Sequence, residues 1–365
     1  MSGKVRRAIG LMSGTSLDGI DVAFLETDGH ARVTAGPALT VPYDETLRAR
    51  LRAVLGGQGP VAEVERDLTD AHAAAVEGFL VRHHVGPVDV VGMHGHTILH
   101  RPHEGRTWQI GDGARLARTL DLDVVADFRS ADVAAGGEGA PLAPVFHAGL
   151  AAGLERPLAV LNLGGVGNVT WLGPGEDEVL AFDTGPGNAL IDDWALRHTG
   201  SPVDRDGALA RAGRVDAQAV ARFLAHPFLA RRPPKSLDRD DFRTFMPDAL
   251  SPADGAATLT AITAAAVAAA RQHFPAPPKR WLVTGGGRRN PALMAALSQA
   301  LAAPVEAVEG VGWDGDALEA QAFAYLAVRS LEGLPLSFPG TTGVKAPVRG
   351  GRLFRPKGSL STPRN

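Results

Sequence analysis

Residues 9–26 have the sequence IGLMSGTSLDGIDVAFLE, and the remainder of the chain can be interpreted from this segment. Apolar residues begin the segment, and after its polar centre apolar residues occupy every second position from Ile20 to Phe24. This pattern predicts two strands joined by a hairpin turn. The turn is small, hydroxylated and flanked by glycine, so its backbone N–H groups could approach an anion closely. Phosphate would repel Asp18 and Asp21 unless a hard cation such as Mg²⁺ lay between them. An ordinary tight hairpin with polar tip residues would explain the same pattern.

The composition is that of a soluble globular protein with two domains. The chain has 365 residues, of which 45% are apolar and 21% are charged. Its net charge of -3 provides no large positive field for nucleic acid or an acidic membrane surface. Cysteine is absent, which excludes disulfides, thiolate catalysis and cysteine-based zinc sites. We expect a cytoplasmic protein, because no apolar signal segment follows the N-terminus and the most apolar run, residues 256–270, is too short to span a bilayer.

A second glycine turn repeats the opening pattern. Residues 159–163 read as a strand entering the core, residues 164–168 (GGVGN) as a turn, and residues 169–172 as a strand leaving it. Two such hairpins, about 150 residues apart, suggest an internal duplication with one hairpin in each half. A third glycine turn, residues 285–287, follows another predicted strand.

The duplication predicts two lobes. The first comprises residues 1–133, with the tail from about residue 335, and the second comprises residues 134–334. The glycine-rich loop 134–139 lies between the repeated halves and is predicted to be a hinge. Helices are predicted at 43–55, 61–84, 256–270 and 315–331, and further strands at 88–93, 123–128 and 280–284.

Polar residues follow several of these strands, where α/β sheets usually place their ligands. Asp183 follows a strand and precedes glycines, so its carboxylate could point into a cleft as a general base. It could equally bind Mg²⁺ or cap the helix that begins near Ala189. Arg129 is suited to a substrate carboxylate, or to a surface ion pair with Asp127 or Asp132.

Two other classes of site find little support. His94, His96, His100 and His103 could suggest zinc, but no carboxylate or second cluster completes an evident site. The chain has neither the GxxxxGK[ST] motif of P-loop enzymes nor a GxGxxG dinucleotide fingerprint with its strand, helix and acidic partner.

The chain resembles the anhydro-N-acetylmuramic acid kinase family from one end to the other. The resemblance rests on GLMSGTSLDGID at 10–21 and FDTGPGN at 182–188, supported by DFR at 127–129, GAPL at 139–142, PKS at 234–236 and GGG at 285–287. Some positions depart from the family pattern, since His96 and Glu138 stand where glutamine is common and Leu237-Asp238 replaces Thr-Gly. The resemblance implies an α/β fold of the actin and hexokinase superfamily, with two similar ribonuclease H-like domains around an interdomain cleft for ATP and sugar.

The family reaction transfers phosphate from ATP to O6 of 1,6-anhydro-N-acetylmuramic acid while water attacks C1 and opens the anhydro bridge. The product, N-acetylmuramic acid 6-phosphate, arises during recycling of cell-wall peptidoglycan. The resemblance implies ATP and Mg²⁺ as cofactors, a homodimer, Asp183 as the base for water, and Asp18 as the metal residue. The implied ATP-binding residues are Gly14, Thr15, Ser16, Leu17, Asp18, Gly19, Ile20, Asp21, Gly164, Gly165, Asn168, Gly285, Gly286 and Gly287. The implied substrate residues are His96, Thr97, Arg129, Asp132 and Glu319.

Two alternatives share this fold. The chain could phosphorylate another anhydrosugar, such as levoglucosan, or it could be a nucleotide-gated interaction protein without sugar chemistry. An assay of turnover with and without sugar would separate the second from a kinase.

Overall fold

Two β-sheets, each with its own helices, organise the chain, which a computed structural model describes for residues 3–14, 17–175 and 178–356. Unit 1 consists of the residues up to Gly153 together with those from Ala317, and unit 2 is Leu154–Asp316. These bounds differ from those expected from the sequence, since the loop 134–139 and the helix near residue 320 both lie in unit 1.

Unit 1 contains seven of the strands and seven of the α-helices found in the described residues. Its strands are β1 (Arg6–Ser13), β2 (Gly19–Thr27), β3 (Val33–Pro42), β4 (Val90–Arg101), β5 (Arg106–Ile110), β6 (Val124–Ala126) and, after unit 2, β12 (Arg352–Phe354). Its helices are α1 (Glu45–Ala53), α2 (Val61–His83), α3 (Gly113–Leu120), α4 (Ser130–Ala134), α5 (Ala143–Leu150) and, after unit 2, α12 (Leu318–Leu331); the short α13 (Pro339–Thr342) also follows α12.

Unit 2 has a smaller sheet and a group of helices built around one long apolar helix. Its strands are β7 (Leu158–Leu163), β8 (Val166–Leu172), β9 (Val179–Pro186), β10 (Trp281–Thr284) and β11 (Val305–Ala307). Its helices are α6 (Ala189–Thr199), α7 (Ala208–Ala212), α8 (Ala217–Leu224), α9 (Pro227–Ala230), α10 (Pro252–Ala270) and α11 (Pro291–Ala300).

The two sheets share one strand order, which confirms the predicted duplication. In unit 1 the order is β3-β2-β1-β4-β6-β12, with β5 paired to β4, and in unit 2 it is β9-β8-β7-β10-β11. Each sheet begins with an antiparallel meander of three strands, and the fourth strand then runs parallel to the first. The expected pair of similar ribonuclease H-like α/β domains is therefore present.

Helix α12 lies directly on the centre of the first sheet because two glycines leave room for it. Gly10 of β1 pairs with Gly92 of β4, and a Cβ atom at these positions would lie 1.8 Å from the Ala320 carbonyl oxygen and 2.1 Å from that of Phe323. Only glycine permits such an approach. The contact brings the first turn of α12, with Glu319, to the edge of the sheet where β1 ends.

The apolar run at 256–270 forms most of α10, as the sequence predicts. Among the described residues, one helical stretch, Pro252–His273, is long and apolar enough to cross a membrane by length and composition. Two thirds of its most apolar window, 67%, is buried inside the protein, which is the pattern of a core helix.

Candidate active site

Asp18, just before β2, presents an exposed carboxylate on a backbone held by hydrogen bonds. The Leu17 N–H donates to the Gly14 carbonyl oxygen at 3.1 Å, and the Tyr43 N–H donates to the Asp18 carbonyl oxygen at 3.1 Å. These bonds hold the arm that follows the tip, while the side chain of Asp18 is exposed. Of the other predicted phosphate-binding residues, Gly19, Ile20 and Asp21 begin β2, and Thr15 and Ser16 lie outside the described residues.

His96 lies behind this turn and supports it. Its ring is fully buried, with Nδ1 at 2.9 Å from the Ser13 hydroxyl oxygen, which is itself 2.5 Å from the Tyr43 hydroxyl. Burial lowers the pKa of His96 to about 4, so the ring is neutral at pH 7. Nδ1 supports the end of β1, whereas Nε2 is buried without a hydrogen-bond partner among the described residues, and the sugar contact of His96 stays a prediction.

Asp132 also has a structural position. Its carboxylate is 2% exposed and accepts hydrogen bonds from the Gly139 N–H and the Thr342 hydroxyl, both at 2.6 Å, and from the Ser337 hydroxyl. These bonds tie the loop 134–139 to the C-terminal part of unit 1. The substrate contact predicted for Asp132 is thus disfavoured, and the loop expected to be a hinge is held within one unit.

Arg129 and His94 form a defined polar pair at the edge of the first sheet. Arg129 Nε and Nη2 lie 3.1 Å and 2.9 Å from His94 Nε2, and Arg129 Nη1 donates to the Gly139 carbonyl oxygen at 2.7 Å. His94 Nδ1 lies 2.8 Å from the Gly95 carbonyl oxygen, which can only accept. His94 therefore carries its proton on Nδ1 and accepts from Arg129 through Nε2. Burial, and then the charge of Arg129, hold the pKa of His94 well below its usual value.

Two of the predicted substrate residues, Arg129 and Glu319, act on each other electrostatically. Loss of surrounding water, and then the Asp21 carboxylate, raise the pKa of Glu319, and Arg129 opposes this shift. Burial lowers the pKa of Arg129 to about 10, opposed first by Glu319. A third predicted substrate residue, Thr97, is half-buried on β4, where its hydroxyl oxygen accepts from Gln109 Nε2 at 3.1 Å.

The turn between β7 and β8 contains two glycines that neither backbone conformation nor packing requires. Neither has a positive φ. A Cβ atom on Gly164 would have one described atom within 4 Å, the Val166 carbonyl oxygen at 3.8 Å, and one on Gly165 would have its nearest neighbour, Ala189 Cβ, at 3.7 Å. The Asn188 N–H donates to the Gly164 carbonyl oxygen at 2.7 Å, which anchors the turn. The glycines therefore leave open space at the tip, as close approach of a ligand would need.

Asp183 lies within β9, opposite Asn168 of β8. Its Oδ2 accepts from the Leu237 N–H at 2.8 Å, and its own N–H donates to the Lys235 carbonyl oxygen at 3.0 Å. Burial raises the pKa of Asp183 to about 7, opposed by the Leu237 N–H and then by the Lys235 ammonium. A carboxyl group with such a pKa can take and release a proton near neutral pH. Because Asp183 lies inside a strand, it does not cap α6, whose N-cap position is Asn188.

The third glycine turn follows β10, and its three glycines have different roles. Gly285 has a φ of +74°, and its Cβ would lie 2.4 Å from Asn162 Oδ1. A Cβ on Gly287 would lie 2.6 Å from Leu163 Cβ. Gly286 is exposed, with no atom nearer than 3.7 Å to such a Cβ. Packing requires the outer two, whereas the middle one leaves room that a ligand such as adenosine could use.

Sequence reasoning missed a buried cation that supports this third turn. The side chain of Arg288 is 5% exposed, and its Nη1 donates to the Gly285 carbonyl oxygen at 3.0 Å. It also pairs with Glu309 at 2.8 Å and Asp316 at 3.0 Å. Its position directly after the glycine triplet was the one available signal. Lys235, beside Asp183, was likewise given no role.

The described residues contain no group of three or more histidine, cysteine, aspartate or glutamate side chains placed to hold a metal ion. Mg²⁺ in phosphoryl-transfer sites takes few protein ligands, keeps several waters and binds phosphate oxygens. A single exposed carboxylate, as Asp18 provides on a backbone held by the Tyr43 N–H, fits that donor set.

Known proteins match this chain along nearly its whole length. The model of the family described as anhydro-N-acetylmuramic acid kinase matches residues 6–356. A relative of that name from Paramagnetospirillum magneticum is 64% identical over 96% of this chain and 99% of its own. Another from Rhodospirillum rubrum is 59% identical over 95% of this chain and 94% of its own. A solved structure, component A of (R)-2-hydroxyglutaryl-CoA dehydratase from Acidaminococcus fermentans, covers 90% of this chain and 99% of its own at 13% identity and a TM-score of 0.47, too distant to indicate a function.

Proposed function

The chain belongs to the anhydro-N-acetylmuramic acid kinase family, and on this premise we propose that it opens the 1,6-anhydro ring of its substrate with water while it transfers phosphate from ATP. The enzyme is a kinase for 1,6-anhydro-N-acetylmuramic acid. Its products would be N-acetylmuramic acid 6-phosphate and ADP. We further propose that it works in the cytoplasm, as a homodimer, in the recycling of peptidoglycan.

The observation that carries this proposal is the Asp183 carboxyl group, which burial brings to a pKa of about 7. In its ionised form it can remove a proton from water as the water oxygen bonds to C1. The bond between C1 and O6 breaks, and O6 receives the γ-phosphoryl group while ADP leaves. Asp183 then returns its proton to solvent. The Leu237 N–H, at 2.8 Å from Oδ2, orients the carboxylate for this step.

The nucleotide would be bound by the three glycine turns. The tips at 14–21 and at Gly164 and Gly165 would hold the phosphates through backbone N–H groups, because a small tip allows close approach. Asp18 would hold Mg²⁺ or its waters, and bound Mg²⁺ would neutralise charge on the phosphates. Gly286 would leave room for the adenosine.

Arg129 supports a sugar with a carboxylate. His94 Nε2 accepts from Nε and from one proton on Nη2, the Gly139 carbonyl accepts from one proton on Nη1, and together they fix the plane of the guanidinium group. The edge formed by Nη1 and Nη2 retains donors that can bind a lactyl carboxylate in a bidentate manner. Glu319 and Thr97 would hold sugar hydroxyls. Levoglucosan lacks the carboxylate, so this arrangement favours the muramic acid derivative.

The mechanism is tested by turnover in water enriched in oxygen-18. Solvent oxygen should appear at the anomeric hydroxyl, read before mutarotation exchanges it, and the first anomer formed should be α. Label confined to phosphate would refute the hydrolytic mechanism. In parallel, Asp183→Asn should lose turnover by about 10²–10⁴, as is typical of a removed general base. Sugar binding, measured by calorimetry, should be nearly unchanged, and levoglucosan should be a far poorer substrate.

A further inference from the structure

Lys235, Ser236 and Leu237 form a short segment, here called the strap, that holds Asp183 at two points. The Lys235 carbonyl oxygen accepts from the Asp183 N–H at 3.0 Å. Two residues later, the Leu237 N–H donates to Asp183 Oδ2 at 2.8 Å. The backbone and the carboxylate of Asp183 are thus both fixed by the same segment. Ser236, between the two contacts, is exposed.

The strap is anchored by an ammonium group that is unusually well buried. Lys235 is 4% exposed, and its Nζ donates to the carbonyl oxygens of Phe228 at 3.1 Å and Leu229 at 3.2 Å. Nζ also lies 4.5 Å from the ring centroid of Phe228 and 5.4 Å from that of Phe182, the residue before Asp183. Burial of a charge is costly unless it is paired, so this position needs an explanation beyond packing.

The charged groups around this anchor are few. Burial, and then the charge of Arg231, lower the pKa of Lys235 to about 8, and Asp183 opposes the shift. His273 Nε2 lies 3.3 Å from Nζ, and burial lowers the pKa of that histidine, which leaves its ring neutral at pH 7. The Lys235 ammonium thus opposes the rise in the pKa of Asp183, while Arg231 opposes the charge of Lys235 itself.

We propose that Lys235 is a positioning residue for the reaction: its buried ammonium anchors the strap and, through Leu237, orients the Asp183 carboxylate. The inference rests on the proposed function, in which Asp183 is the base. Lys235 does not touch the substrate. Burial raises the pKa of Asp183, and the Lys235 ammonium opposes that rise. Without Lys235 the pKa should be higher, so a larger fraction of Asp183 would be protonated at neutral pH.

The test is the pH profile of kcat/KM for the sugar in the full-length chain, with Lys235→Met compared with the wild type. We expect the acid limb, near pH 7 in the wild type, to move upward by about one pH unit. Activity at pH 7 should then fall several-fold and recover at pH 9, with KM for ATP unchanged. Lys235→Arg, which keeps the charge, should return the limb toward the wild-type position. A purely structural role would lower activity by the same factor at every pH.

A matched control is available in the same unit. Lys279 is a surface lysine paired with Glu155 at 2.6 Å, and it is not among the groups that shift the pKa of Asp183 or Lys235, so Lys279→Met removes an equal charge and should leave the profile unchanged. Should Lys235→Met fail to fold, Lys235→Gln is measured instead, because its amide can still donate to a buried carbonyl. If the acid limb of the pH profile of the neutral variant coincides with that of the wild type, the inference is wrong. Failure of the proposed function itself looks different, since Asp183→Asn would then turn over normally.

Discussion

Gly164→Ala should make unit 2 slightly more stable and the enzyme much less active. The new methyl group would have one atom within 4 Å, at 3.8 Å, and the backbone of Gly164 needs no positive φ. Alanine then loses less conformational entropy on folding, which stabilises a protein by about 0.4–1 kcal/mol. For a domain of this size that corresponds to a rise in Tm of about 1–4 °C.

Gly164→Ala should also lower kcat/KM for ATP. If the tip of this turn donates a backbone N–H to a phosphate oxygen, a methyl group beside it removes or lengthens a hydrogen bond to a charged group. Such bonds contribute about 1.5–3 kcal/mol. At about 1.4 kcal/mol per factor of ten, kcat/KM for ATP should fall by about 10- to 150-fold.

Gly187→Ala is the contrasting variant. Its Cβ would lie 2.3 Å from the Gly164 carbonyl oxygen, so the same turn must shift. Overpacking of this kind costs about 1–3 kcal/mol, and Tm should fall. Thermal denaturation and steady-state kinetics on both variants are the assays. A Gly164→Ala protein with raised Tm and unchanged kcat/KM for ATP would show that this turn is not a phosphate site.

Three further outcomes are expected. Asp18→Asn should keep its Tm, because the side chain is exposed, and lose Mg²⁺-dependent turnover strongly; normal activity with a titration of Mg²⁺ would refute the assignment. His94→Phe should raise KM for the sugar about tenfold with KM for ATP unchanged, because Arg129 loses its acceptor at 2.9 Å; equal effects on both would indicate general damage. Asp183 has a folded pKa of about 7, so its ionisation destabilises the fold progressively as pH rises from about 4 to 7; Asp183→Asn should gain about 1–4 kcal/mol at pH 8, about a third of that at pH 5 and almost nothing below pH 4, measured by thermal denaturation.

The hairpins and most long helices could be predicted because their signals are local. Alternation with a period of two, interrupted by glycine, marks β1 and β2 as well as β7 and β8. The periodicity of α2 is equally local. The strand β4 was predicted too short, since its outer half alternates with polar histidines.

Membership of the units could not be predicted, because it depends on contacts between distant residues. Helix α12 follows unit 2 in sequence yet packs on the first sheet, and what admits it is the pairing of Gly10 with Gly92. Each glycine alone looks like a weak point in a strand. Their alignment is a property of the parallel pairing of β1 with β4, which the sequence does not specify.

The sequence also could not predict which face of a sheet or helix a polar side chain occupies. His96 and Asp132 follow predicted strands, at the edge where ligands are expected, yet both are turned inward, toward Ser13 and toward Ser337 and Thr342. A one-residue change in the phase of a strand moves a side chain to the opposite face. Gly95, with its φ of +75°, interrupts the alternation between His94 and His96.

The role of a glycine in such a site is easily misinterpreted, because a glycine can be required either by the packing of the fold or by the close approach of a ligand. At Gly187, Gly285 and Gly287 a Cβ atom would collide with the protein's own backbone or side chains, so the fold alone demands glycine there. At Gly164 and Gly286 it would meet open space, and neither residue has a positive φ. Replacement at the first group should cost stability and activity together. Replacement at the second should separate them, since any loss of activity must then come from a molecule that is not part of the chain.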